Sequence, residues 1–196
     1  MGGVTLVLWS SSLFGGKSAK VFCITCSELA PRTEDMLGLG HGSIFEVRNL
    51  GGLFTPDAKA AYAFAMARFK PDTIVFLHHL GCGCYSQLDL EPEPDVRKHI
   101  VEYGCLHAKF TVEGFLERHR LTLPKEYVLQ LITEEGSRAQ KTALVNHLMF
   151  NRKEQYNAVK DGRLKIVELM YPAGRGKTYI VPERLEGSQD MDRVEY

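Results

Sequence analysis

The chain has 196 residues, 24 Lys and Arg against 24 Asp and Glu, and an isoelectric point near 7. Balanced charge provides no basic surface for nucleic acid or for an anionic membrane. No apolar run approaches the roughly 20 residues that span a bilayer. We therefore expect neither nucleic acid nor a membrane as a partner, and a length of this order predicts one domain, 1–196.

The two ends of the chain differ from its middle. Residues 1–19 contain one short apolar run between Gly and Ser residues, and we expect them to form an N-terminal arm rather than a signal peptide, because no basic segment precedes the run. Residues 184–196 are polar and predict a mobile tail. Five cysteines, an odd number, favour thiols or metal ligands over disulfides. We expect a cytoplasmic protein.

The middle of the chain alternates between strand and helix patterns. Short apolar or alternating runs predict strands at 20–26, 43–49, 73–77 and 163–171, with a returning hairpin strand at 178–181. Helices are predicted around 34–37 and at 57–69, 95–103, 112–120 and 124–161, with a break at 104–111 and an interruption at Gly136. Thr55 or Asp57 is the candidate N-cap of the helix at 57–69. The alternation predicts an α/β fold with a mostly parallel central sheet flanked by helices.

Metal-binding residue types follow the strand predicted at 73–77. The segment DTIVFLHHLGCGC leaves this apolar strand through His78 and His79 and reaches Cys82 and Cys84. Imidazole and thiolate groups suit a soft divalent metal. His79 and Cys82 are spaced so that a strand-to-turn bend would direct both at one ion, although two residues that are merely packed would give the same pattern.

A further cysteine pair lies in the strand at 20–26. Side chains alternate between the faces of a strand, so Cys23 and Cys26 point to opposite sides. We expect Cys23 to be a core thiol and Cys26, at the carboxyl end, to face a cleft, where open α/β sheets bind their ligands. Together with His79 and Cys82 it forms a Cys-His-Cys set with an open fourth position, the pattern of a catalytic zinc.

These motifs resemble the β-class carbonic anhydrase family. That family carries Cys-x-Asp-x-Arg at one strand end, an Arg-Asn-x-Gly segment after the next, and His-x-x-Cys at a third. This chain has Cys26-Ser27-Glu28, then Arg48-Asn49-Leu50-Gly51, then His79-Leu80-Gly81-Cys82. The resemblance covers about 20–181. It implies a β-carbonic anhydrase-like α/β fold, Zn²⁺ on Cys26, His79 and Cys82, and a homodimer or larger homo-oligomer.

The resemblance fails at two positions of the first motif. Glu28 stands where the family has Asp, and Ala30 stands where it has the Arg that pairs with that Asp. Arg32 and Arg48 are the candidate substitutes for the missing guanidinium. Two interpretations of Glu28 stay open: a catalytic residue that accepts the hydrogen bond of a zinc-bound hydroxide, or a fourth zinc ligand that closes the site, as in structural zinc sites.

The function implied by the resemblance is the reversible hydration of CO2 to bicarbonate by a zinc-bound hydroxide. One alternative is a CS2 or COS hydrolase on the same scaffold. Another is a non-catalytic, zinc-stabilised binding protein in which Glu28 closes the metal site.

Overall fold

A central sheet organises the chain, and the computed structural model describes it through residues 19–86, 94–172 and 178–181. The sheet has the order β2-β1-β3-β4-β5. The strands are β1 Val21–Cys26, β2 Ile44–Asn49, β3 Thr73–His79, β4 Lys165–Tyr171 and β5 Tyr179–Ile180. The first four are parallel, and β5 returns antiparallel to β4. The predicted mostly parallel sheet is therefore confirmed.

Helices connect and cover these strands. Those in the described ranges are α1 Thr33–Leu37, α2 Pro56–Arg68, α3 Gly83–Ser86, α4 Pro94–Glu102, α5 Cys105–His119, α6 Lys125–Asn151 and α7 Lys153–Lys160. None of them is long and apolar enough to cross a membrane. The predicted arm, apart from Ala19, and the predicted tail lie outside the described residues.

The helix α2 shows how local chemistry sets an element. Thr55 accepts a hydrogen bond from the backbone N–H of Ala58, and Pro56 occupies the first helical turn, where its missing N–H costs nothing. Ala61, Tyr62 and Ala65 lie on the buried face of the helix. The N-cap prediction at Thr55 is confirmed.

Three apolar clusters surround the sheet. One face packs Phe22, Ile24 and Phe76 against α2 and α6. The opposite face packs Cys23 and Leu77 with side chains of α1. The third cluster lies beyond the carboxyl ends of the strands, and its members are Cys26, Leu53, Cys82, Cys84, Tyr85, Ile100, Cys105, Ala108, Val112, Leu116 and Ile132. The carboxyl edge of the sheet is thus enclosed by α3, α4, α5 and the first half of α6.

Two predicted helix boundaries are wrong. The break expected at 104–111 is instead the first half of α5, which begins directly after Gly104 in a left-handed conformation. Cys105, Ala108 and Val112 lie on one buried face of α5. Their spacing of three and four residues is that of a continuous helix, which explains why the predicted break is absent.

The interruption expected at Gly136 is also absent, since α6 runs unbroken from Lys125 to Asn151. A Cβ at Gly136 would overlap the Tyr85 ring. This glycine therefore permits close packing of α3 against α6, and the helical stretch is broken instead at Arg152.

Candidate metal centre

Four ligand-type side chains meet at the carboxyl edge of the sheet. Cys26 is the last residue of β1, and Glu28 follows it by two residues. His79 is the last residue of the neighbouring strand β3, and Cys82 follows it by three residues. The potential ligand atoms of all four lie within 4.8 Å of one another. The structure thus brings together the predicted ligands and the predicted catalytic residue, although their binding of a metal stays a prediction.

The distances within this group suit one tetrahedral ion. Cys26 Sγ and Cys82 Sγ are 3.7 Å apart, and two thiolates on one tetrahedral zinc would be about 3.8 Å apart. His79 Nε2 lies 3.5 Å from Glu28 Oε2, so the carboxylate is next to the position that such an ion would take. Two sulfurs and one imidazole nitrogen form a donor set that zinc prefers. The residues present therefore fit this metal.

The ring of His79 presents its Nε2 to the group. Nδ1 lies 3.2 Å from the carbonyl oxygen of Leu80, which favours a proton on Nδ1. Nε2 is buried and has no hydrogen-bond partner in the described part of the chain. A buried nitrogen with its lone pair free, fixed through its second nitrogen, is the usual arrangement of a metal-binding histidine.

The hydrogen bond between the two sulfurs shifts the pKa values of Cys26 and Cys82 in opposite directions. The hydrogen bond from Cys82 lowers the pKa of Cys26 against the opposing effect of burial, and His79 lowers it further. The same hydrogen bond, followed by burial, raises the pKa of Cys82. A bound cation would favour the ionised form of both thiols.

Glu28 is held by the backbone of α3. Its Oε2 accepts a hydrogen bond of 2.7 Å from the N–H of Gly83, and its side chain is 42% exposed. A Cβ at Gly83 would overlap Oε1 of the same carboxylate. Oε2 lies 4.0 Å from Cys26 Sγ, which is longer than the about 3.6 Å expected for an oxygen and a sulfur on one tetrahedral zinc. Gly83 thus holds the carboxylate beside the three predicted ligands.

Neither candidate arginine pairs with Glu28. Arg32 is exposed and makes no ion pair with Glu28 among the described residues. Arg48 donates to the carbonyl oxygens of Leu29 and, at 3.1 Å, of Pro31. Arg48 therefore holds the backbone of the loop that carries Glu28 and leaves the carboxylate itself unpaired with a guanidinium.

Glu46 on β2 and Thr33 on α1 hold the guanidinium of Arg48 in place. Its Nε lies 3.0 Å from Glu46 Oε1, and Nη2 donates to Thr33 Oγ1 at 3.2 Å. Thr33 Oγ1 in turn donates to Glu46 Oε1. Arg48, Glu46 and Thr33 thus form a small polar network that ties β2 and α1 to the loop after Cys26.

The three cysteines outside this group, Cys23, Cys84 and Cys105, are all buried. Cys23 is fully buried on the opposite face of the sheet, as predicted for a core thiol. Cys84 Sγ lies 3.5 Å from Cys105 Sγ.

Sequence reasoning missed the backbone N–H of Gly83 and the carbonyl contacts of Arg48. A backbone donor carries no residue-type signal, and Gly83 is marked only by its place directly after the His-x-x-Cys motif. The contacts of Arg48 depend on how the loop at 27–32 folds back on β2, which no local pattern encodes.

The sequence profile of the carbonic anhydrase family matches residues 21–178 of this chain. The chain belongs to the β-class carbonic anhydrase family. Membership confirms the predicted family and supports a lyase-type enzyme with a carbonic anhydrase-type function. No protein of curated function matches the chain in a sequence search.

Solved β-carbonic anhydrases share the fold at low sequence identity. A tetrameric enzyme of the ascomycete Sordaria macrospora has a TM-score of 0.71 at 18% identity, over 88% of this chain and 85% of that one. CafA of Aspergillus fumigatus has a TM-score of 0.66 at 19% identity, over 89% and 81%. The Coccomyxa enzyme in complex with acetazolamide has a TM-score of 0.66 at 16% identity, over 92% and 82%. These likenesses establish the β-carbonic anhydrase fold.

Proposed function

We propose that this β-carbonic anhydrase family member is a zinc enzyme that interconverts CO2 and bicarbonate. Cys26, His79 and Cys82 would hold the metal, and Glu28 would act beside it. The observation that carries the proposal is the group of four ligand-type atoms within 4.8 Å, with the two sulfurs 3.7 Å apart and His79 Nε2 free of hydrogen bonds.

Zinc, when bound, supplies a Lewis acid that lowers the pKa of a water ligand and so provides a nucleophile near neutral pH. Cys26 and His79 supply ligand atoms from the ends of two paired strands, so their spacing is set by the sheet. Cys82 completes the three-residue set from the turn before α3. The two soft sulfur ligands would favour a soft cation over a hard one.

Glu28 is the residue of this chain that would handle the proton of the attacking water. Its carboxylate is partly exposed and accepts the N–H of Gly83 at 2.7 Å. A carboxylate has further lone pairs, so Oε2 or Oε1 is still able to accept a hydrogen bond from the water's remaining O–H. Held in this way, Glu28 would orient the water towards the carbon of CO2 without occupying the metal.

We also propose that the protein works as a homodimer or larger homo-oligomer in the cytoplasm. The related enzymes of Sordaria macrospora are tetrameric. The described cysteines are all free thiols, which accords with a reducing compartment.

Zinc content and CO2 hydration, measured on the same samples, test the proposal. The wild-type protein should bind one zinc per chain and hydrate CO2. Cys82→Ser should lose both, because a predicted ligand is removed. Glu28→Gln should keep the zinc and lose about 10- to 100-fold in hydration, as expected for a residue that supports the metal-bound group.

Cys23→Ala is the matched control, since Cys23 is an equally buried cysteine outside the group of four. It should retain zinc and hydration. Full zinc binding by Cys82→Ser would refute the ligand set. Zinc loss in Glu28→Gln would show that Glu28 is a ligand and that the site is closed. Sulfide release from COS, without CO2 hydration, would indicate a hydrolase instead.

A further inference from the structure

A second pair of thiols lies beside the candidate metal centre. Cys84 is on the four-residue helix α3, and Cys105 is the first residue of α5. Their sulfurs are 3.5 Å apart, and both side chains are buried. Neither residue belongs to the group of four ligand-type atoms, so the proposed hydration reaction does not use them.

The pair is connected to the metal centre through short segments. Cys84 directly follows Gly83, whose N–H holds Glu28, and lies two residues after Cys82. Cys84 Sγ also packs on the backbone of Gly51, where an added Cβ would lie 2.8 Å from the sulfur. A movement of Cys84 would therefore be transmitted to the residues around Glu28.

We propose that Cys84 and Cys105 form a redox-active dithiol that closes to a disulfide and thereby regulates the metal centre. The oxidant is a small peroxide. One sulfur attacks the O–O bond and becomes a sulfenic acid with release of water. The second thiol then attacks that sulfur and releases a second water, forming the S–S bond. The two thiols lose two protons and two electrons, and both peroxide oxygens are reduced to water.

The burial of the pair determines which oxidant is effective. Bulky protein disulfides would not reach sulfurs enclosed by α3, α5 and the Leu50–Gly52 turn. Hydrogen peroxide is small enough to enter through local opening of the structure. A dithiol reductant would reverse the reaction by thiol–disulfide exchange when the same region opens.

Closing the disulfide requires movement of α3. The sulfurs must approach from 3.5 Å to the bonded distance of about 2.05 Å. The helix α5 has 15 residues and is fixed by Ala108, Val112 and Leu116 in the apolar cluster. The helix α3 has only four residues. We expect the displacement to fall mainly on α3, which would disturb the contact of the Gly83 N–H with Glu28 and the neighbouring Cys82.

The test uses the zinc-loaded full-length protein treated with limiting hydrogen peroxide. Free thiols are then alkylated, and the peptides are mapped by mass spectrometry before and after reduction with dithiothreitol. The expected product is a reversible Cys84–Cys105 disulfide. In the oxidised protein, CO2 hydration should fall several-fold, and zinc should pass several-fold faster to a chelator. The loss of hydration and the faster zinc release rest on the proposed function, whereas the peptide map does not.

Cys105→Ala should form no disulfide at Cys84 and should keep its hydration rate and its zinc-release rate after the same treatment. Cys105→Ser tests the same point should the alanine variant fold poorly. Cys23→Ala, which leaves the pair intact, should respond like the wild type. A Cys26–Cys82 disulfide, or sulfinic acids without a Cys84–Cys105 link, would overturn the proposal. A Cys84–Cys105 disulfide that changes neither hydration nor zinc release would overturn its regulatory role.

Discussion

The backbone N–H of Gly83 donates a 2.7 Å hydrogen bond to Glu28 Oε2 across 55 residues of sequence. At Ala30 the β-carbonic anhydrase pattern has an arginine, and Glu28 makes no ion pair with an arginine in the described part of the chain. The contact with Gly83 depends on the absence of a side chain, because a Cβ at Gly83 would overlap Glu28 Oε1. The position of the carboxylate is therefore determined by a glycine on α3.

Gly83→Ala should displace Glu28 while leaving the three predicted ligands unchanged. We expect zinc content near that of the wild type and a loss of about tenfold or more in kcat for CO2 hydration. Gly114→Ala is the matched control, since an added Cβ on α5 meets nothing within 4 Å. Wild-type hydration in Gly83→Ala would contradict the assigned role of this contact.

Arg48→Lys should loosen the loop that carries Glu28. A lysine cannot reproduce the planar set of donors that reaches Leu29 O, Pro31 O and Glu46. We expect the free energy of unfolding to fall by about 1–3 kcal/mol, with a lower rate of hydration.

Urea denaturation and stopped-flow kinetics measure the two effects of Arg48→Lys. Arg163→Lys is its control, because Arg163 pairs with Asp161 at 3.0 Å on an exposed surface, where such pairs contribute little. Equal effects of the two substitutions would show that the network around Arg48 contributes no more than a surface ion pair.

Because His78 is buried, we predict that the protein loses stability in acid. Burial, and then the neighbouring His79, lower the pKa of His78 to about 4. The unfolded chain binds this proton near pH 6.5, whereas the folded chain resists it, so the protonated form favours unfolding. The contribution of His78 is fully present above about pH 6.5, and about 3 kcal/mol is lost as the pH falls to about 4.

In His78→Asn, the free energy of unfolding should change less with pH between these two values than it does in the wild type. Loss of zinc also destabilises in acid, but it does so in both proteins, so the difference between the two curves isolates His78. His107→Asn, on the exposed side of α5, should leave the curve unchanged. Identical slopes for wild type and His78→Asn would refute the assignment.

Gly136→Ala should separate α6 from α3. The added Cβ would overlap the Tyr85 ring, which is fully buried. We expect a loss of about 1–3 kcal/mol in the free energy of unfolding, as is usual for overpacking. In a double-mutant cycle with Tyr85→Leu, the combined loss should be smaller than the sum of the single losses. Additive losses would mean that the two residues are not in contact.

The sequence predicted the fold well where its signals were local. Apolar or alternating runs identified the strands β1 to β4, and Thr55 was one of the two candidate N-caps for the start of α2. It failed at 104–111 and at Gly136, because there the outcome depends on packing between helices. The glycine expected to interrupt α6 is instead the point at which α6 contacts Tyr85.

In the candidate site, too, some features follow from local sequence patterns and others depend on packing. The convergence of Cys26, His79 and Cys82 was predictable, because the carboxyl ends of neighbouring parallel strands meet at one edge of the sheet. Their role as metal ligands stays a prediction. The Gly83–Glu28 contact and the Cys84–Cys105 pair join residues 55 and 21 positions apart. Contacts of that range depend on how α3 is seated against the strand ends and α5, and no motif specifies this.

Stopped-flow CO2 hydration by wild-type protein of known zinc content tests the central claim most directly. The claim is that three residues hold the metal and that Glu28 stays beside it. With one zinc per chain, we predict hydration that increases between about pH 7 and pH 9, as the attacking water ionises. Absence of hydration at full zinc content would contradict the claim.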